Sequence, residues 1–250
     1  MIEVKNISKT FLDNKVLNNV SYTLKKGMCN LVIGRSGSGK SVFLKSVVGL
    51  HEVDQGEILF DGRDTTKMAS KELKALRKEI GMVFQGGALF NSSTVEENVR
   101  YPLDMFTTMS KAEKQKRIDY CLDHVHIENA HQLFPSEISG GMQKRVAIAR
   151  AIALNPKYLF FDEPNSGLDP VTAIIIDNLI QEITKELNVT TLVITHDMNS
   201  VMEIGENIMY VYQGQKWWEG NKKEIFNTNN PELNDFVFAS DLFKSIKKQN

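Results

Sequence analysis

The sequence predicts an α/β fold: a parallel sheet flanked by helices, preceded by an antiparallel β segment and interrupted by a run of helices. Three observations predict it. Short apolar runs at 29–33, 80–84, 158–161, 190–194 and 208–212 read as buried strands, because a strand covered on both faces loses the polar alternation of a half-exposed one. A glycine-rich octapeptide stands between the first run and a helical pattern, the strand, loop, helix order of α/β units. Residues 95–154 change to helix-spaced apolar and charged positions.

The elements follow in order. Residues 2–7 and 16–24 are extended segments separated by Asp13-Asn14 and closed by Lys26-Gly27, which predicts an antiparallel start. After the run at 29–33, residues 41–50 have helical spacing. Residues 55–60, with the turn Asp61-Gly62, read as an edge strand, and Ser70 as the cap of a charged helix ending near Lys78. Ser110 and Glu113 have capping-box spacing ahead of a charged helix in the insertion. A helix over 171–187 joins the strands at 158–161 and 190–194, and Trp217-Trp218 complete a hairpin near the sheet edge. Beyond Gly220 the chain is loop, then a helix around 232–247. These boundaries give a main domain over 1–225, with a helical subdomain at about 86–155 inserted, and a C-terminal helical extension over 226–250.

Composition narrows the function classes. The 250 residues are 42% hydrophobic and 24% charged, which excludes low-complexity and collagen-like chains. Thirty Lys and Arg against 31 Asp and Glu leave a formal charge of -1, so no global basic field draws the chain onto nucleic acid. The longest apolar run, 208–212, is far short of the roughly 20 residues of a membrane-spanning helix. The N-terminus lacks the apolar stretch of a secretory signal, so a cytosolic location is expected. Cys29 and Cys121 stand far apart and read as two ordinary reduced thiols.

Three motifs carry chemistry. Gly34-Arg35-Ser36-Gly37-Ser38-Gly39-Lys40-Ser41 fits G-x-x-x-x-G-K-[ST] in the context that motif demands, after a strand and before a helix. Its glycines let consecutive N–H groups curl around phosphate oxygens, the helix start adds partial positive charge, Lys40 reaches the β and γ phosphates, and Ser41 ligates magnesium. The run at 158–161 ends in Asp162-Glu163. A phosphate-loop enzyme needs a second magnesium-positioning group there, which is Asp162, and Glu163 is placed to orient or deprotonate the attacking water. Ser139 is a natural N-cap and Gly140 and Gly141 permit close backbone approach, so the helix that follows begins as a second anion site.

Together with Ser166-Gly167-Leu168-Asp169 and His196, these motifs resemble, in order and spacing, the ATP-binding subunit of ABC transporters over roughly residues 1–225. The resemblance implies a P-loop NTPase (RecA-like) core of ABC ATPase type, with ATP and Mg2+ as ligands and ATP hydrolysis as the activity. It implies a head-to-tail homodimer with twofold symmetry, each ATP lying between Lys40 of one copy and Ser139, Gly140 and Gly141 of the other. By the same resemblance Gln85 contacts magnesium and the water, His196 senses the γ-phosphate, Asp169 faces the dimer partner, and Phe11 stacks on adenine. On its own, Phe11 reads as a core residue. The consensus LSGGQ appears here as Ile138-Ser139-Gly140-Gly141-Met142, keeping the serine and both glycines and departing at the fifth position.

The segment after Gln85, residues 86–99, contacts the membrane subunit in this family. Its start, Gly86-Gly87-Ala88-Leu89-Phe90, with Met142 closing the signature, resembles the MlaF-type ATPase subunits of MCE-associated phospholipid transporters. That resemblance implies an integral-membrane permease, an MCE-type lipid-binding subunit and a peripheral position on the inner face of the cytoplasmic membrane. The alternative is the ATPase of an ABC importer for a small solute such as an amino acid. A non-transport ABC ATPase is the alternative of another class, for which a long coiled-coil insertion, tandem cassettes or a basic face is expected. A catalytically dead regulatory cassette is disfavoured by the joint presence of Lys40, Gln85, Asp162, Glu163 and His196. His124, His126 and His131 lack matching acid or thiol spacing and read as solvated helix ends, and Lys111, Lys114, Lys116 and Arg117, interspersed with acids, as a solvated helix face.

Overall fold

A hairpin opens the chain. β1 (Ile2–Phe11) pairs antiparallel with β2 (Asn14–Leu24), both rich in β-branched residues, across a two-residue turn at Leu12 and Asp13. β3 (Cys29–Ile33) is buried at every position and leads through the glycine loop into α1 (Lys40–Val47). β4 (Gln55–Phe60) and the two-residue β5 (Arg63–Asp64) join the hairpin, giving a four-stranded antiparallel sheet in the order β2-β1-β4-β5. α2 (Ser70–Lys78) and β6 (Ile80–Val83) follow, then three helices: α3 (Val95–Phe106), α4 (Lys111–His124) and α5 (Gly140–Ile152). The chain returns to α/β alternation with β7 (Tyr158–Asp162), α6 (Pro170–Glu186), β8 (Thr190–Thr195), α7 (Met198–Ile204), β9 (Asn207–Tyr212) and β10 (Gln215–Gly220), and α8 (Pro231–Val237) lies after them. This computed structural model describes residues 1–239.

The second sheet has six strands in the order β10-β9-β3-β8-β7-β6, parallel except for the edge strand β10. Its two faces feed two cores. Along β3, Cys29, Leu31 and Ile33 point into the cluster beneath α3 to α7, while Val32 points into the cluster shared with α1 and the antiparallel sheet, the period of two that a strand dictates. Both cysteines are buried thiols, pushed up by desolvation to about 12 for Cys29 and about 11 for Cys121, and so unreactive.

Several sequence expectations need correcting. Ser70 is the first helical residue of α2 rather than its cap: Ala69 precedes it, and the Glu72 carboxylate accepts the Ala69 N–H at 2.9 Å instead. β4 is an inner strand, since the short β5 pairs on its far side. β6 stops at Val83, so Phe84 begins the following loop with its ring partly exposed. Among the described residues the expected C-terminal helix is present as α8, which runs from Pro231 to Val237; residues 240–247 of the expected helix lie outside the described residues. Ser110 caps α4 as expected, with its hydroxyl on the Glu113 N–H and the Glu113 carboxylate on the Ser110 N–H. No helix among the described residues is long and apolar enough to cross a membrane.

Candidate nucleotide site

The carboxyl ends of β3, β6, β7 and β8 lie side by side, and the loops leaving them converge on one crevice, where open α/β sheets hold their ligands. The loop after β3 is built around glycine. Gly39 has φ 107°, and a Cβ there would stand 2.9 Å from the Val16 carbonyl oxygen; a Cβ on Gly34 would stand 2.4 Å from that of Val211. Only glycine fits either place. Gly39 also caps α1 without any side-chain acceptor, so the first N–H groups of that helix face the loop.

Inside the loop the Lys40 side chain, 5% exposed as a residue, donates to the carbonyl oxygens of Gly34 at 2.8 Å and Arg35 at 3.1 Å. Burial lowers its pKa, against the pull of Glu163 and Asp162. The hydroxyl of Ser38 is buried and has no hydrogen-bond partner, an unmet polar group facing a loop shaped for phosphate. Ser41 Oγ donates to Asp162 Oδ1 at 3.1 Å, so two hard oxygen ligands, one from the first turn of α1 and one from the end of β7, stand together, the ligand type that Mg2+ selects. Ser36, Gly37, Gly39, Lys40, Ser41, Gln85, Glu163 and His196 all border one cavity of about 480 Å³.

Glu163 leaves β7 in the left-handed region at φ 52°, held by its N–H on the Ile194 carbonyl at 3.0 Å. That turn aims its carboxylate across the crevice, where Oε2 lies 2.6 Å from His196 Nδ1. The His196 side chain is 63% exposed, open to whatever enters the cavity. Gln85 Nε2 donates to Ser166 Oγ at 3.1 Å, which ties the loop after β6 to the loop after β7.

Other expected residues stand apart from this cluster within one chain. Ser139 caps α5, accepting the Met142 N–H at 3.2 Å, and neither it nor Gly140 nor Gly141 borders the Lys40 cavity. Asp169 caps α6 through Val171 and Thr172, whose hydrogen bonds hold its carboxyl below the usual range. Phe11 is 39% exposed at the end of β1, edge-on to His51 at 5.2 Å; read on its own as a core residue it is corrected to a surface ring. Arg35 points into a neighbouring cavity that His196 shares with Asp235 and Phe236. His124 and His131, expected as solvated ends, instead lie against carboxylates, His124 Nε2 at 2.8 Å from Glu186 and His131 Nε2 at 3.4 Å from Asp119.

Two side chains that the sequence reading passed over belong to the frame of the site. Lys144 and Arg150, both on α5, donate to backbone carbonyls of the loop that carries Gln85. The available signal was positional: Lys144 falls between Gly140 and Val146 on a helix whose next turns are apolar, where a cation has no solvent to face.

The comparison with protein families decides what this crevice belongs to: the family described as "ABC transporter" matches residues 17–166, from β2 through the glycine loop, Gln85, the signature serine and Asp162-Glu163. The chain belongs to the ABC transporter family. It is an ABC-type ATPase subunit, and such subunits bind ATP with Mg2+ and hydrolyse it. Relatives include the methionine import ATP-binding protein MetN of Clostridium tetani, 39% identical over 97% of this chain and 76% of that protein. The intermembrane phospholipid transport ATP-binding protein MlaF of Haemophilus influenzae is 35% identical over 95% of this chain and 90% of its own length. Among solved structures, the dimeric post-hydrolysis state of the cassette MJ0796 bound to ADP and Pi superposes with a TM-score of 0.80 at 35% identity, covering 88% of this chain and 98% of that one. ABC ATPases work as dimers attached to membrane permeases, so signature residues remote from the Lys40 cavity are what a single cassette of the family presents.

Proposed function

We propose that this ABC ATPase powers movement of a phospholipid through separate membrane subunits, an integral-membrane permease and an MCE-type lipid-binding subunit, from the inner face of the cytoplasmic membrane. The observation that carries the reading is the surface beside Gln85. Phe90 is 42% exposed and lies 4.8 Å from Tyr101, and Tyr101, Met105 and Phe106 continue an exposed apolar strip along α3. A patch of that kind marks a protein contact. Phe90 belongs to the segment whose sequence resembles MlaF-type subunits, Tyr101, Met105 and Phe106 extend the patch beyond it, and an MlaF protein is among the relatives. The experiment is copurification of the membrane subunits from detergent, followed by ATP-dependent transfer of labelled phospholipid between reconstituted vesicles. Uptake of an amino acid with no lipid transfer would establish the importer reading, which rests on the MetN relatives.

The geometry of the crevice supports a catalytic assignment within this reading. In this reading residues 1–225 form the ATP-binding domain with the helices of about 86–155 inserted, and 226–250 extend it. Lys40 and the N–H groups of residues 34–41 bind the β and γ phosphates. Ser41 and Asp162, with Gln85, hold Mg2+, which offsets charge on the phosphate oxygens when it is bound. Glu163 accepts a proton from the attacking water, and His196, donating from Nδ1, keeps that carboxylate turned toward the γ position. Phe11 offers an exposed ring to adenine, and Ser139, Gly140, Gly141 and Asp169 act on the nucleotide of the partner subunit. Nucleic acid has no role in this reading.

A further inference from the structure

The loop that carries Gln85 hangs from α5. Lys144 Nζ donates to the carbonyl oxygen of Gln85 itself, and the Arg150 guanidinium donates to those of Gly87 at 2.7 Å and Ala88 at 2.8 Å. Gly87 and Ala88 are both left-handed, at φ 72° and 50°, a conformation that Ala adopts only when its surroundings hold it there. Arg150 also lies 5.7 Å from the Phe90 ring centre. Lys144 is 8% exposed as a residue and forms no ion pair among the described residues. An ammonium removed from water without a counter-ion is costly, so its bond to the Gln85 carbonyl is the feature that balances it. At the start of the same helix Ser139 caps the first turn, and Gln143 Nε2 donates to the Pro135 carbonyl at 2.9 Å, fixing the segment that leads into the signature. One rigid helix therefore grips both the Gln85 loop and the signature serine.

We propose that Lys144, supported by Arg150, is a positioning residue for ATP hydrolysis: it fixes Gln85 to the signature helix, so that the two move as one body when the cassette engages nucleotide and its partner copy. The proposal rests on the assignment of Gln85 to the catalytic machinery. Lys144 does not touch the nucleotide and acts only through the position of the Gln85 backbone. Arg150 keeps the following residues in the left-handed turn that presents the exposed Phe90.

The test is a double-mutant cycle in the full chain. Lys144→Met removes the charge at nearly constant volume. The expected result is a fall in kcat of about tenfold with KM for magnesium-ATP within about twofold, an unlowered melting temperature, and recovery in Lys144→Arg, which can still donate to the carbonyl. Combined with Gln85→Ala, the double variant should be no slower than Gln85→Ala alone. Additive losses, or wild-type kcat in Lys144→Met, overturn the positioning role. Equal loss in Lys144→Arg and Lys144→Met with a lowered melting temperature overturns it also, as the mark of a merely structural lysine. Wild-type turnover in Gln85→Ala sinks the assignment of Gln85 itself, a failure that is read separately.

Discussion

The sheet rim and the helical insertion obey different rules. At the rim, Lys40, Ser41, Asp162, Glu163 and His196 are held by strand ends that are almost wholly buried, and each makes a defined polar contact. On the insertion, the side chains of Phe90, Tyr101, Met105 and Phe106 are exposed, and their contacts are with other rings or with cations, as between Phe90 and Tyr101 and between Lys78 and Phe106. Chemistry on phosphate needs fixed charges and N–H groups at set positions, which few sequences satisfy. A surface that receives another protein needs shape and apolar area, which many sequences satisfy. The rim therefore states its reaction, whereas the insertion offers an apolar surface whose partner is the subject of the proposal above.

The largest effect is expected at the rim. Lys40→Ala removes the one buried cation of the phosphate loop and should abolish measurable magnesium-ATP binding in calorimetry and ATPase activity together, with the fold retained in circular dichroism. Unchanged affinity would break the comparison at its strongest point. Glu163→Gln comes next: the amide keeps the shape but takes no proton, so hydrolysis should fall by about 100-fold or more while ATP binding persists, and sedimentation with ATP should show a trapped dimer.

Effects on the insertion should be smaller in turnover and larger in assembly. Leu89 and Phe90 are adjacent and both apolar, and the structure separates them: Leu89 packs partly buried against the core, whereas Phe90 is exposed. Phe90→Ala should weaken copurification of the membrane subunit several-fold with melting unchanged, because truncating an exposed anchor costs about 1–2 kcal/mol at an interface and little in the fold. Leu89→Ala should lower the melting temperature by a few degrees instead. A reversed pattern would make Leu89 the docking residue.

The last effect leaves turnover aside and bears on stability close to the rim. Asp177 on α6 is fully buried, and desolvation raises its pKa to about 6, against the hydrogen bonds of Ser200 and Asn165. A carboxyl raised in the folded state favours folding below its unfolded value near 3.8, and that contribution is lost as pH rises through about 6. Asp177→Asn should therefore gain stability relative to wild type as pH goes from 4 to 7, by at most about 3 kcal/mol. Denaturation midpoints at the two pH values test it; a gap that does not grow with pH would show that Asp177 stays charged at no cost.

Much of this protein is written along the chain. The buried strands are legible because full burial on two faces forces continuous apolar runs such as Cys29–Ile33, and the phosphate loop because its glycines and lysine answer steric and charge demands met within eight residues. Contacts between distant segments are not local in that sense. That Glu163 turns left-handed to meet His196, that Gln85 meets Ser166, that Phe11 lies on the surface, and that Lys144 buries its charge on the Gln85 carbonyl all depend on which strands and helices become neighbours. A residue's type sets which bond it can make; the order β10-β9-β3-β8-β7-β6 and the packing of α5 set which partner stands within reach, because a hydrogen bond is decided over about 3 Å and sequence separation carries no information at that scale.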